Sequence, residues 1–329
     1  MEIVLSGIRP TGNLHLGNYF GALRNFIKMQ YEYKCYFFIA DLHSLTTHPK
    51  PDDFHGSIKN ILAEYLAAGL DPEVATLFIQ SHIPEVSEMY VLLNMFAYKG
   101  ELERTVSFKE KARKHPDNVN AGLLTYPVLM ATDILIHRAN KVPVGKDQEQ
   151  HLEYSRIIAR RFNNMYGTSI FPEPEAFNFG SDLIKIPGLD GNGKMGKSEN
   201  NGIFLIDDEK TICKKVMKAV TDSGPTKPDS HMPEMIQNLF TLMQVVSAPD
   251  TVQYFRDKYN SCEIRYGDLK KQLAEDICKL TLPIRERIIE ILKDDDYLRR
   301  VANLGAEKAR ESALKTLREA KKCIGFKEF

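Results

Sequence analysis

The sequence predicts an α/β protein. A mostly parallel, helix-covered sheet is interrupted by a helical insertion and followed by an all-helical C-terminal domain. Two observations carry this. Over residues 1–199 short apolar runs alternate with stretches of helical period, the rhythm of strand–helix–strand units. Beyond about residue 200 the strand-like runs stop and Lys/Glu/Arg-rich amphipathic stretches replace them. A length of 329 residues suits two domains, and the composition shift places them at 1–199 and 200–329.

The elements follow in order. Residues 2–7 form a short buried strand. Residues 18–30 follow as a helix, with Tyr19, Leu23, Phe26 and Ile27 on one face. Residues 35–40 make a second strand, 57–68 a helix and 75–80 a third strand. The mainly helical stretch of about 86–137 is long for a crossover and is expected to be an insertion. Val142, Pro143 and Val144 form a shorter strand, and a helix runs from about 148 to 163. In the second domain, helices are expected at 268–278, 284–293 and 296–322. Pro225, Pro228, Pro233, Pro249 and Pro283 punctuate this region. Ligands of parallel sheets sit at the carboxyl ends of the strands. The polar candidates there are Arg9, Asp41, His43, Gln80, Gly145 and Asp147.

Composition narrows the function. The formal net charge of +0 argues against a basic nucleic-acid coat protein, though not against a nucleic-acid enzyme with local basic patches. No apolar run approaches the roughly 20 residues of a membrane span, and no secretory pattern opens the chain. The five cysteines include no CxxC pair, so reduced thiols are expected rather than a metal centre. Together these predict a cytoplasmic protein with neither a membrane nor DNA as partner, and with no metal site of its own.

Two motifs carry the chemistry. Thr11-Gly12-Asn13-Leu14-His15-Leu16-Gly17-Asn18 lies at the first strand-to-helix turn. Glycines there let backbone approach a ligand, and the helix start offers N–H groups and positive potential to a phosphate. An ordinary N-capped turn is the competing reading. Lys194-Met195-Gly196-Lys197-Ser198 follows the Gly-rich run Asp190-Gly191-Asn192-Gly193. Lysine is a mobile point charge suited to a phosphate whose charge moves during reaction. For a generic KxxK, a solvated loop is the competing reading.

In this order the motifs resemble the two signatures of class I aminoacyl-tRNA synthetases. The intervening segments resemble the bacterial tryptophanyl branch of that class. These are Ser6-Gly7-Ile8-Arg9-Pro10-Thr11-Gly12, Gly17-Asn18-Tyr19, Gly100-Glu101-Leu102-Glu103-Arg104, Phe108-Lys109-Glu110-Lys111, Gly122-Leu123-Leu124-Thr125-Tyr126-Pro127, Thr132-Asp133-Ile134-Leu135 and 142–148. The resemblance covers nearly the whole chain. Three departures stand out: Arg9 where the family often has Gln, Lys146 where it often has Glu, and Gly196 for the first Ser of the second signature.

The resemblance implies a Rossmann-like activation domain that joins L-tryptophan to ATP as the adenylate and then charges tRNA(Trp). It further implies Mg2+ as helper and a homodimer formed through the insertion. The ATP site it implies comprises Arg9, Pro10, Thr11, Gly17, Asn18, Gly145, Lys146, Asp147, Ile186, Lys194, Met195, Gly196, Lys197 and Ser198. Lys194, Lys197, Lys111 and His15 are the implied catalytic groups. Asp133 would accept the indole N–H, Tyr126 and Gln148 would hold the α-amino group, and His43 would lie near the ring or carboxylate. Leu5, Gly7, Met130, Val142 and Val144 complete the implied pocket. Taken alone, Asp133 also reads as a helix N-cap. The C-terminal domain would bind the anticodon, with Lys308, Arg310, Lys315, Arg318, Lys321 and Lys322 available to phosphates.

Overall fold

The computed structural model describes residues 1–114, 116–145, 148–177, 185–191, 193–197 and 199–327. Five strands form one sheet in the order β3-β2-β1-β4-β5, and every pairing is parallel. They are β1 (Ile3–Ile8), β2 (Lys34–Ile39), β3 (Thr76–Ile79), β4 (Lys141–Val142) and β5 (Glu175–Ala176). The chain builds outward from β1 to β3, then returns to place β4 on the other side of β1. The order therefore reverses between β1 and β4, the place where such sheets open a cleft for ligands.

Alternation along the strands covers both faces. Val4, Phe37 and Ile39 enter one apolar cluster, and Leu5, Tyr36 and Phe38 enter the other. The first face packs on a run made of α1 (Leu16–Asn18), a π-helical turn (Tyr19–Leu23) and α2 (Arg24–Met29). It also packs on α4 (Pro51–Ala68), which follows the short α3 (Asp41–Ser44). The second face packs on α5 (Pro84–Asn94), α8 (Ala121–Ile136) and α9 (Glu149–Tyr166). Two short helices, α6 (Lys99–Leu102) and α7 (Val106–Lys114), complete the insertion. The helices between β3 and β4 run from Pro84 to Ile136.

The C-terminal helices are α10 (Glu209–Met217), α11 (Glu234–Val246), α12 (Pro249–Asn260), α13 (Tyr266–Ile291) and α14 (Asp295–Ile324). Pro283 was expected to separate two helices but lies inside α13. A proline inside a helix costs about 3 kcal/mol. Leu273, Ile277, Ile284 and Ile288 continue one buried face through it, and that packing outweighs the lost bond. Leu269, Ile277, Leu298 and Val301 share the apolar cluster of Val4 and Phe37, so packing is continuous from the sheet into the C-terminal helices. At Gly305 α14 approaches β3 so closely that a Cβ would stand 1.6 Å from the Leu77 carbonyl oxygen.

Two strand expectations are corrected. The strand placed at 142–144 pairs only through Lys141 and Val142, because Pro143 has no N–H to give the ladder. The sequence reading contains no β5, since both of its residues are exposed and show no buried pattern.

Candidate active site

A cavity of about 950 Å³ opens at the β1/β4 reversal. Twelve of the residues expected at the site line it: Leu5, Gly7, Arg9, His43, Lys111, Tyr126, Met130, Asp133, Val142, Val144, Gly145 and Gln148. Gly7 is required there. A Cβ would lie 2.5 Å from the Phe38 ring, which also faces the cavity.

Asp133 sits on the fourth turn of α8, whose N-cap is Asn120, so the N-cap reading of Asp133 is excluded. It is 4% exposed. Gln80 Nε2 donates to both its oxygens at 2.8 and 2.9 Å. His43 Nε2 stands 2.9 Å from Oδ2, and the tautomer protonated on Nε2 donates there. Burial pushes the carboxyl above the usual range, His43 and Gln80 pull it back, and Asp41 adds to the upward push. Gln80 Oε1 is buried without a partner among the described residues.

At the other side of the cavity, Lys111 Nζ lies 4.0 Å from the centre of the Tyr126 ring, a cation–π contact. Tyr126 Oη is 2.7 Å from His151 Nε2. Arg9 Nε donates weakly to Ser44 Oγ at 3.5 Å. Burial lowers both the Lys111 ammonium, with Arg9 adding to the effect, and the Arg9 guanidinium. Two cations thus face one cavity wall.

The first motif lies off the cavity lining and forms a second cluster. His15 caps α1: Nδ1 accepts from Asn18 N–H at 3.2 Å, and Asn18 Oδ1 accepts from His15 N–H at 3.1 Å. The N-capped turn given as the competing reading is thus present. Because Nδ1 accepts, the ring proton sits on Nε2. Burial, with Lys197 nearby, lowers the imidazole to about 4, so His15 is a neutral donor. Gly17 permits this fold-back, since a Cβ would stand 2.8 Å from the imidazole. Pro10 is buried and Thr11 exposed, with Thr11 N–H bonded to Arg9 O at 2.9 Å.

The second motif is brought to the first. Lys197 Nζ donates to Gly12 O at 2.6 Å, and burial lowers this lysine to about 8. Met195 and Ile186 are buried, and Met195 N–H donates to Ile186 O at 2.9 Å. Both belong to the apolar cluster of Val4 and Phe37. Gly196 N–H donates to Asn201 Oδ1 at 2.9 Å, and Asn201 Nδ2 reaches Asp190 Oδ1 at 3.0 Å. Lys194 stands exposed. Lys146, Asp147, Asn192 and Ser198 lie outside the described residues.

Asn201, His151 and Glu64 have structural connections to these clusters that sequence reading did not find. Glu64 accepts from Leu14 N–H through both oxygens, at 3.1 and 2.9 Å. Nothing in their spacing marks them. Gln80 was at least visible as a polar residue closing a strand.

A helix start and a lysine loop meeting beside the reversal of a parallel sheet is the working arrangement of the class I aminoacyl-tRNA synthetases. Within that class, a family model for tRNA synthetases class I (W and Y) matches residues 2–281, and the chain belongs to this family. It is 64% identical over 327 residues to the tryptophan–tRNA ligase of Porphyromonas gingivalis, covering 99% of this chain and all of that one. To the tryptophan–tRNA ligase of Clostridium tetani it is 41% identical, covering 99% and 96% of the two chains. The crystal structure of Campylobacter jejuni tryptophanyl-tRNA synthetase complexed with ADP and tryptophan matches with a TM-score of 0.88. That match is at 35% identity over 98% of this chain and all of the other.

Proposed function

We propose that the chain is a tryptophan–tRNA ligase. The observation that carries this reading is Asp133, a buried carboxylate at the wall of an apolar-lined cavity large enough for a drug-sized ligand. Indole offers one N–H donor and no acceptor, and a carboxylate reads that donor by a charge-assisted bond. Leu5, Met130, Val142 and Val144 face the ring, Met130 as an adaptable contact. Tyr126 and Gln148 hold the α-amino group, with His43 beside Asp133.

The substrate carboxylate attacks the α-phosphate of ATP, forming the adenylate and releasing pyrophosphate. The enzyme supplies positioning and charge rather than a covalent intermediate. Lys194, Lys197 and Lys111 take up charge on the phosphates. Neutral His15, the 9–12 segment, Gly17, Asn18 and Gly145 hold the nucleotide. The groups facing the phosphates are cationic, a donor set that suits Mg2+ carried in on ATP rather than held by the protein. The tRNA 3′ hydroxyl then displaces AMP and takes the aminoacyl group. Closure of the lysine loop is the expected conformational step.

In this reading residues 1–199 activate the amino acid and residues 200–329 meet the tRNA. Lys308, Arg310 and Lys321 bond Pro72 O, Glu85 and Glu88 in the first half, leaving Lys315, Arg318 and Lys322 as the better phosphate contacts. Exposed Val91, Met95 and Tyr98 on and beside α5 and α6 support a homodimer through the insertion; the compartment proposed for it is the cytoplasm. ATP–pyrophosphate exchange measured across the twenty amino acids tests the proposal. Exchange with tryptophan alone is expected. Exchange with tyrosine instead would make the chain a tyrosine enzyme, and none at all a non-catalytic tRNA-binding relative.

A further inference from the structure

We propose that His151 is a positioning residue for tryptophan: it takes the proton of the Tyr126 phenol and so turns the phenol's lone pairs toward the substrate's α-ammonium. This rests on the function proposed above, in which Tyr126 and Gln148 hold that group. Tyr126 on α8 and Gln148 and His151 at the start of α9 all line the cavity. Gln148 is the N-cap of α9 and His151 lies one turn on, a spacing that puts two side chains on the same helix face. His151 is 2% exposed, and its Nε2 stands 2.7 Å from Tyr126 Oη. The phenol ring is held from two sides. The imidazole meets it edge-on, with ring centres 5.1 Å apart and planes at 72°, and Lys111 Nζ lies 4.0 Å from its centre.

Counting protons sets the direction of the short bond. A phenol has one O–H and its oxygen also accepts. Burial raises Tyr126 above its ordinary value of 10.0, with Ser107 and Arg9 pulling it back, so at neutral pH the phenol has a proton to place. An α-ammonium, like that of lysine, brings three donors and no acceptor. A phenol proton aimed at the substrate would face an N–H, and the contact would be lost. With Nε2 as acceptor, that proton points away and the oxygen's lone pairs are left for the ammonium. Donating to the imidazole also polarises the oxygen and makes it a stronger acceptor. The substrate's chemistry therefore selects the tautomer of His151 protonated on Nδ1. The first turn of α9 serves the amino group twice, directly through Gln148 and through the phenol by way of His151.

His151→Phe removes the acceptor and keeps an aromatic ring against Tyr126. The readout is equilibrium dialysis with two ligands. One is L-tryptophan; the other is indole-3-propionate, which has the same ring and carboxylate but no α-amino group. His151→Phe is expected to weaken tryptophan about tenfold, the scale of one misdirected bond to a charged donor, and to leave indole-3-propionate unchanged. On a Tyr126→Phe background, which lacks the phenol oxygen, adding His151→Phe should weaken tryptophan no further. If His151→Phe does not fold, His151→Leu is measured instead, with the same split expected. Equal weakening of both ligands makes His151 merely structural and overturns the proposal. So does undiminished tryptophan binding, or a further loss on the Tyr126→Phe background. A wild type that does not bind tryptophan would instead overturn the proposed function, and this inference with it.

Discussion

Asp133→Asn isolates the charge that the proposed indole recognition depends on. Asp133 is buried and takes bonds of 2.8–2.9 Å from Gln80 and His43. The substitution preserves volume. Because Gln80 Oε1 has no partner among the described residues, the Gln80 amide can turn over and accept from the introduced amide, so the wall keeps its shape. What is lost is the difference between a charge-assisted bond and a neutral one, about 1–1.5 kcal/mol. At about 1.4 kcal/mol per decade, kcat/KM for tryptophan in pyrophosphate exchange should fall about 5–15-fold. A tryptophan isostere with sulfur in place of the ring N–H should be affected far less, narrowing the discrimination by a similar factor. Equal losses for both substrates, or no loss for tryptophan, would refute Asp133 as reader of the indole N–H.

Lys197→Ala should lower the pyrophosphate-exchange rate by about 10²–10³-fold while equilibrium dialysis still finds tryptophan bound; unchanged exchange would remove Lys197 from the chemistry. Gly305→Ala should destabilise the protein by about 3 kcal/mol or more in urea unfolding, because its Cβ meets the Leu77 carbonyl at 1.6 Å. His137 is buried, stacks on Tyr36 with ring centres 4.6 Å apart, and is lowered to about 3 by burial. A histidine depressed in the folded state binds its proton more readily unfolded, so stability falls as pH drops from about 6.5 toward 3. His137→Phe should flatten that fall in unfolding free energies measured across the range.

The sequence made β1 to β3 legible because they are buried apolar runs, which only a covered parallel sheet explains. It could not reveal β5, whose Glu175 and Ala176 are exposed. The expected residues that line the cavity came from motifs in which residue type and order are specific. Residues that act from behind were another matter. A glutamate in a helical pattern reads as a solvated position, yet Glu64 faces inward to Leu14. Asn201 is three residues beyond the second motif, and only the fold brings its side chain onto Gly196 N–H. Met195, placed at the nucleotide by resemblance, is buried and belongs to the apolar cluster of Val4 and Phe37.

The seat of α14 on β3 has a consequence for how the molecule is made. β3 is an edge of the sheet, and its backbone meets Gly305 directly. The two lie about 230 residues apart, so a ribosome adding 5–20 residues per second takes on the order of 10–45 s to deliver the helix that covers the strand. During that interval the nascent activation half carries an unshielded apolar edge, the kind of surface on which chains pair with one another. The helix proposed to meet the tRNA is also the first half's late-arriving guard, and a chain stopped before residue 295 would leave the ribosome without it.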